Sequence, residues 1–137
     1  LNDWDPERFP LIREDFFVFA KRARNWDPAK KFSGIILDPP SFSRGKSGTF
    51  STERDWSKLH ALAGTLFDRS AERLWISSSL NTRALSPKQV LVEMKEGLKQ
   101  ADLTVVEIVF EIHPEKREFP ASKHLKGFVA LLKPGSA

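Results

Sequence analysis

The run Asp38-Pro39-Pro40-Ser41-Phe42 sets a carboxylate, two prolines and an aromatic ring directly after the apolar stretch Phe32-Ser33-Gly34-Ile35-Ile36-Leu37. That stretch has the pattern of a buried core strand, and the carboxyl ends of such strands are where open α/β sheets hold ligands. Proline fixes φ and has no backbone N–H, so the carbonyls here can only accept hydrogen bonds. Phe42 adds a ring face on which a flat substrate can stack. Together these residues suit a planar, amino-bearing group such as a nucleobase. Pro-Pro also punctuates ordinary loops, and Asp-Pro-Pro alone reads equally as a tight turn. The apolar run before it and the aromatic and basic residues after it shift the balance toward function.

The elements that would position this motif alternate along the chain. A loop through Pro10 leads to a short strand candidate, Phe9 to Arg13. Asp15 then precedes the helical stripe Phe16, Phe17, Phe19, Ala20 and Ala23, where its carboxylate suits an N-cap and the helix dipole. Ser41 to Glu53 reads as a long polar loop, of the kind that is usually functional or mobile. A helix from about Asp55 carries Trp56, Leu59, Ala63, Leu66 and Phe67 on one face. Leu74-Trp75-Ile76 is a short buried strand with Trp75 in the core, turning at Ser77-Ser78-Ser79. Ser86-Pro87-Lys88-Gln89 combines an N-cap, a proline at the first helical position and a capping box. The helix it opens points Val90, Leu91, Met94 and Leu98 inward. Leu103 to Ile112 and Leu125 to Leu132 are β-rich, with the charged loop His113 to Ser122 between them. The order β-α-β-α-β-α-β-β predicts a parallel sheet with helices on its faces and an antiparallel last strand.

Bulk composition excludes several classes. The 137 residues suit one domain, and 40% hydrophobic with 29% charged residues is the balance of a globular protein. No run is long and apolar enough for a membrane span. With no cysteine, disulfides, thiolate metal sites and cysteine nucleophiles are out, which fits a reducing cytoplasm. The histidines lack metal-ligand spacing, so no metal is expected. A net charge of +4 is compatible with a nucleic-acid partner.

With strand, Asp-Pro-Pro-Ser-Phe, loop, helix, strand and closing ββ pair in line, the chain resembles the class I S-adenosylmethionine-dependent methyltransferases. The likeness is closest to the bacterial 23S ribosomal RNA large-subunit methyltransferases and their uncharacterised relatives. It is carried by Ile36-Leu37-Asp38-Pro39-Pro40-Ser41-Phe42-Ser43-Arg44-Gly45-Lys46 and by His124-Leu125-Lys126-Gly127. The resemblance implies a Rossmann-like sheet, S-adenosyl-L-methionine as cofactor and RNA as partner. It implies that Asp38 and the Pro39 carbonyl, with Pro40 beside them, hold a target nitrogen while Phe42 stacks on the base, Asp38 also lying beside the cofactor. Asp15 and Phe16 fall where the family contacts adenine; a helix N-cap and a core aromatic are the equally ordinary readings. Arg44 and Lys46, with Arg54 and Lys58 nearby, could neutralise phosphates or simply be solvated. Lys116, Arg117, Lys123, His124 and Lys126, mixed with acids, read as solvated, and His60 as surface or packing.

The sequence departs from the family pattern in two ways. None of its seven glycines forms a Gly-x-Gly, so the loop that would approach the methionine part of the cofactor is missing, as is the acid for the ribose. The expectation is therefore the C-terminal part of one methyltransferase domain, a sheet without its first two strands, completed by an N-terminal segment or a second chain. Where several relatives carry a cysteine that attacks C6 of a pyrimidine, this chain has Ser77-Ser78-Ser79, so C5 methylation by that route is not expected. The alternative class is a non-catalytic RNA-binding or structural α/β domain that retains the fold.

Overall fold

The computed structural model describes residues 5–7, 10–45, 48–112 and 124–135. Helix α1 spans Phe16–Ala23, followed by a short 3₁₀ turn at Pro28–Lys30 and strand β1 at Gly34–Leu37. Strands β2 (Phe42–Gly45) and β3 (Gly48–Ser51) precede helix α2 (Thr52–Gly64). Strand β4 (Leu74–Asn81), helix α3 (Pro87–Gln100) and strands β5 (Leu103–Ile112) and β6 (Leu125–Pro134) complete the order.

The starts of α1 and α3 are set by side chains that satisfy otherwise orphaned N–H groups. Asp15 accepts from the N–H groups of Phe17 and Val18 at the head of α1. At α3 the Ser86 hydroxyl accepts from the Gln89 N–H and the Gln89 side chain accepts from the Ser86 N–H, the reciprocal box expected from the sequence.

The main sheet has the order β1-β4-β6-β5. β1 and β4 pair in parallel, from Gly34 opposite Trp75 to Leu37 opposite Ser78. β6 runs antiparallel to both of its neighbours, β4 and β5. Three strands thus share one direction and the last strand in sequence is inserted between two of them, fewer parallel strands than the alternating pattern suggests. Register shifts between Val105 and Glu107 and between Ile108 and Phe110 push Val106 and Val109 out of the ladder of β5, and both are exposed.

Helices α2 and α3 lie together against one face of the sheet. Alternate β4 residues Leu74, Ile76, Ser78 and Leu80 are buried beneath them. They join Trp56, Leu59, Ala63, Phe67, Val90, Met94 and Leu98, apart from the polar Ser78, in one core cluster. The two helices approach so closely at Gly97 that a Cβ there would stand 2.1 Å from the Ser57 carbonyl oxygen. The Trp56 indole N–H donates to the Val90 carbonyl at 3.1 Å, tying α2 to the first turn of α3.

Several expectations change. Residues 10–13 form no strand, and Leu11 and Ile12 lie exposed; Phe9 is outside the described residues. With no neighbouring strand among the described residues to pair them, their β-prone side chains stay exposed. The stretch read as the polar loop Ser41 to Glu53 is an antiparallel hairpin of β2 and β3, Phe42 opposite Ser51 and Gly45 opposite Gly48, running straight into α2. The apolar run from Phe32 is an edge rather than a central strand. Only Gly34 to Leu37 are in the ladder, Phe32 makes an isolated bridge to Phe67, and Ile36 is 71% exposed. Ser77, Ser78 and Ser79 are in strand β4 and not in a turn. Trp75 is half-buried on the face away from α2 and α3, its indole lying across Gly34, where a Cβ would meet it at 2.1 Å. The expected charged loop His113 to Ser122 lies outside the described residues.

Candidate functional site

The parallel pair β1 and β4 ends at Leu37 and Ser78 on a common edge, and the chain leaving β1 there is Asp38-Pro39-Pro40. Ser41 fastens this exit to its surroundings. Its hydroxyl donates to the Asn81 carbonyl at 2.6 Å, and its carbonyl accepts from the Thr52 N–H at 3.1 Å. The segment is thereby held between the end of β4 and the start of α2.

A cavity of about 300 Å³ opens beside it, lined by Asp15, Phe16, Phe17, Ile36, Leu37, Asp38, Pro39, Pro40, Ser43, Phe50 and Leu59. The helix head and the strand end, well separated in sequence, thus share one wall. Asp15, Phe16, Asp38, Pro39 and Pro40 all line the cavity. Phe42 does not; its ring is 57% exposed on β2, with the Arg44 guanidinium 6.0 Å from the ring centre. Arg44 is exposed on the same strand, and Lys46 is outside the described residues.

Asp15 acts as the helix cap, and it lies close against the hairpin as well. A Cβ at Gly45 would stand 2.3 Å from its Oδ2. Phe16 is half-buried, its ring 5.8 Å from that of Phe17 in an edge contact. Phe17 in turn sits 5.6 Å from Phe50 of β3. Phe17, Phe50 and Leu59 are lining residues that the sequence reading had not connected to the site. The apolar positions of Phe17 and Leu59 were legible; their convergence with Phe50 depends on the hairpin folding back.

Asp38 is exposed, and the Ser79 hydroxyl donates to its Oδ1 at 2.7 Å. The rim consequently offers acceptors: a carboxylate and the carbonyls of two prolines. An apolar aromatic floor with an acceptor rim fits a purine-like ring carrying an amino group. The Asp15 and Phe16 side of the cavity fits the adenine end of S-adenosylmethionine and the Asp38 side is left for a second amino-bearing ring, but nothing among the lining residues is a Gly-x-Gly cradle for the methionine end.

His60 is a packing residue and not a surface one. It is fully buried, with Nδ1 2.9 Å from the Trp56 carbonyl and Nε2 2.8 Å from the Ser78 hydroxyl. A carbonyl can only accept, so Nδ1 carries the proton and Nε2 accepts from Ser78. Burial holds its pKa down at about 4, against a smaller upward effect of the Trp56 bond. His124 accepts a bond from Arg83 Nε at 2.9 Å. Lys126, read as solvated, is 5% exposed and donates to the carbonyls of Thr82 and His124. Among the described residues no group of His, Cys, Asp or Glu is arranged to hold a metal ion. No described helix is long and apolar enough to cross a membrane.

The alternation of strands and helices, the strand-end site and the inserted antiparallel last strand define the Rossmann-like fold of class I methyltransferases. Solved structures bear this out. The chain superposes with TM-score 0.64 on the crystal structure of SMU.776, a methyltransferase complexed with SAH, at 24% identity over 86% of this chain and 30% of the other. A SAM-dependent methyltransferase from Streptococcus mutans matches with TM-score 0.59 and 22% identity, covering 86% and 29%. In sequence it is similar to ribosomal RNA large subunit methyltransferase I of Enterobacter sp. (strain 638), 29% identical over 131 residues, and to that of Aeromonas salmonicida (strain A449), 28% over 130 residues. These matches cover 93% and 94% of this chain and 32% of each relative, so the chain spans about a third of their length. No family model matches the chain.

Proposed function

We propose that this chain is the C-terminal part of an S-adenosylmethionine-dependent methyltransferase domain that modifies a nucleobase, in ribosomal RNA by analogy with the relatives' names. The observation that carries this reading is the shared wall: Asp38, Pro39 and Pro40 at a strand end, and Asp15 and Phe16 at a helix head, around one cavity. Asp15 and Phe16, with Phe17 and Phe50 behind them, would hold the adenine. When bound, the cofactor supplies an electrophilic methyl group on a sulfonium, whose carbon–sulfur bond breaks on transfer. What the chain supplies is position, from which most of the rate of such a displacement comes. Asp38 and the Pro39 carbonyl accept the N–H groups of a target amine, which aims its lone pair along the transfer axis. The new carbon–nitrogen bond forms first, and the surplus proton leaves late to solvent, so no strong base is needed. Phe42, exposed on β2 outside the cavity, would stack on the base as it enters, and Arg44 beside it would meet a phosphate, a role also proposed for Lys46, which lies outside the described residues.

Methyl transfer to ribosomal RNA by the longer polypeptide that contains this chain tests the reading. Asp38→Ala is expected to reduce turnover about a hundredfold or more, about 3 kcal/mol or more of lost transition-state stabilisation, with the fold retained. Turnover equal to the parent's would remove Asp38 from the chemistry.

A second reading, a binding domain that retains the fold without catalysis, is favoured by one observation, the missing Gly-x-Gly. On the first reading the site is completed by an N-terminal segment or by another chain, and the isolated 137 residues bind S-adenosylmethionine weakly or not at all. Calorimetric titration tests this completion, because micromolar affinity in the isolated chain would mean that no further segment is needed.

A further inference from the structure

Four aspartates at turns and helix starts of this chain share one local arrangement. Asp5, Asp15, Asp27 and Asp68 each accept a hydrogen bond from the backbone N–H two residues ahead, at Glu7, Phe17, Ala29 and Ser70. This is the usual way an aspartate fixes its own side chain at a turn. Asp38 cannot adopt this arrangement. The next two residues are Pro39 and Pro40, and neither has an N–H to give. The sequence that makes the rim an array of acceptors also deprives its carboxylate of the local donors that would hold it still.

The donor comes from 41 residues away. Ser79 Oγ donates to Asp38 Oδ1 at 2.7 Å. The register explains why it can. Leu37 is opposite Ser78 in the parallel pair, so the next residues, Asp38 and Ser79, leave the ladder side by side. Ser79 sits on β4, which is paired on both sides, to β1 and to β6, with Ser79 itself opposite Gly127. A hydroxyl on that strand is a rigid anchor, whereas Asp38 is exposed and lies just past the end of β1, which among the described residues pairs only with β4. A serine hydroxyl has a single proton, and here it goes to Oδ1, leaving the remaining acceptor capacity of the carboxylate for a substrate donor.

We propose that Ser79 is the positioning residue for Asp38: it selects the side-chain rotamer in which the carboxylate borders the cavity, so that the acceptor is in place before a target amine arrives. The kinetic part of this rests on the methyl-transfer reading; the conformational part does not. Preorganisation of this kind matters because an acceptor that must first be ordered loses part of its effect on the reacting group.

The test compares the parent with Ser79→Ala and Ser79→Thr, which lacks and retains the hydroxyl. Hα–Hβ couplings of Asp38, read by NMR on the 137-residue chain, are expected to report one rotamer in the parent and in Ser79→Thr, and averaged rotamers in Ser79→Ala. Thermal midpoints should agree among the three within a few degrees, which separates positioning from a loss of fold. In the longer polypeptide, Ser79→Ala should lower kcat about tenfold with KM for RNA unchanged, and Ser79→Thr should restore it. A single Asp38 rotamer in Ser79→Ala overturns the proposal, as does an unchanged kcat in a polypeptide whose Asp38→Ala variant is impaired. If Asp38→Ala itself transfers methyl groups normally, the methyl-transfer role of Asp38 falls, and the couplings alone then decide for or against Ser79.

Discussion

At His60 burial and protonation are directly opposed. It is neutral in the fold, donating to the Trp56 carbonyl and accepting from Ser78, with its pKa depressed from 6.5 to about 4 by burial. The folded value lies below the unfolded one, so the unfolded chain takes up the proton first. The stabilisation is therefore complete above pH 6.5 and is lost as the pH falls from there toward 4. The shift corresponds to about 3 kcal/mol, a large share of an ordinary domain's stability. Denaturant midpoints measured across this range should fall steeply in the parent, while His60→Gln should be less stable at neutral pH but show a flatter pH profile. A parent profile as flat as the variant's would mean that His60 is charged or exposed in solution.

At the scale of elements, the contact of α2 with α3 depends on the absence of a side chain at Gly97. Alanine would favour the helix intrinsically by about 1 kcal/mol. Its Cβ, however, would stand 2.1 Å from the Ser57 carbonyl oxygen and 2.8 Å from the His60 Cβ. A carbonyl within a helix cannot swing aside, so the helices must part, at a cost of about 1–3 kcal/mol or more. Crowding wins, and Gly97→Ala is expected to lower the thermal midpoint even though it improves helix propensity. A raised midpoint would show that the helices separate freely.

The same scale decides what was legible beforehand. α3 could be read because its signals are local: Ser86, Pro87 and Gln89 lie within one turn and act on one another. Asp15 as a cap and the β5 and β6 stretches were readable for the same reason. The β2–β3 hairpin was not, since Phe42 to Ser51 has no clean alternation and Gly45-Lys46-Ser47-Gly48 has none of the Asn-Gly type of turn signal. Its stability comes instead from contacts distant in sequence, Phe50 on Phe17 and Gly45 against Asp15. Of the expected strand Phe9 to Arg13, residues 10–13 are not a strand for the opposite reason: suitable side chains, but no neighbouring strand in the described sheet. Of the site, the residue types at Asp38 to Pro40 and at Asp15 and Phe16 were visible as motifs. Ser79 was not visible as a partner of Asp38, because that follows from strand register and not from spacing.

On the scale of the molecule, the two edges of the sheet differ. β5 is interrupted by its two bulges, which twist an edge away from further pairing. β1 is short and apolar, with Ile36 exposed and a groove of about 230 Å³ beside it lined by Phe16, Phe19, Phe32, Ile35 and Leu66 among others. One edge is blunted and the other is left able to accept a strand, which is the side on which the proposed completion by a further segment or chain would occur.

The inserted last strand has a kinetic consequence. β4 and β5 do not touch as a pair; each is hydrogen-bonded to β6, the final element in sequence. A ribosome can release helices α2 and α3 and every earlier strand without the sheet being able to close, because its central member has not yet been made. Until Leu125–Pro134 emerges, β4 has, among the described residues, only the four-residue β1 to pair with, and β5 has no described strand as partner. Assembly is therefore expected to be late and cooperative, gated by long-range contacts rather than built up stepwise. Arrested nascent chains that end before Leu125 should stay protease-sensitive throughout β4 and β5, and those extended past Pro134 should become resistant in both at once.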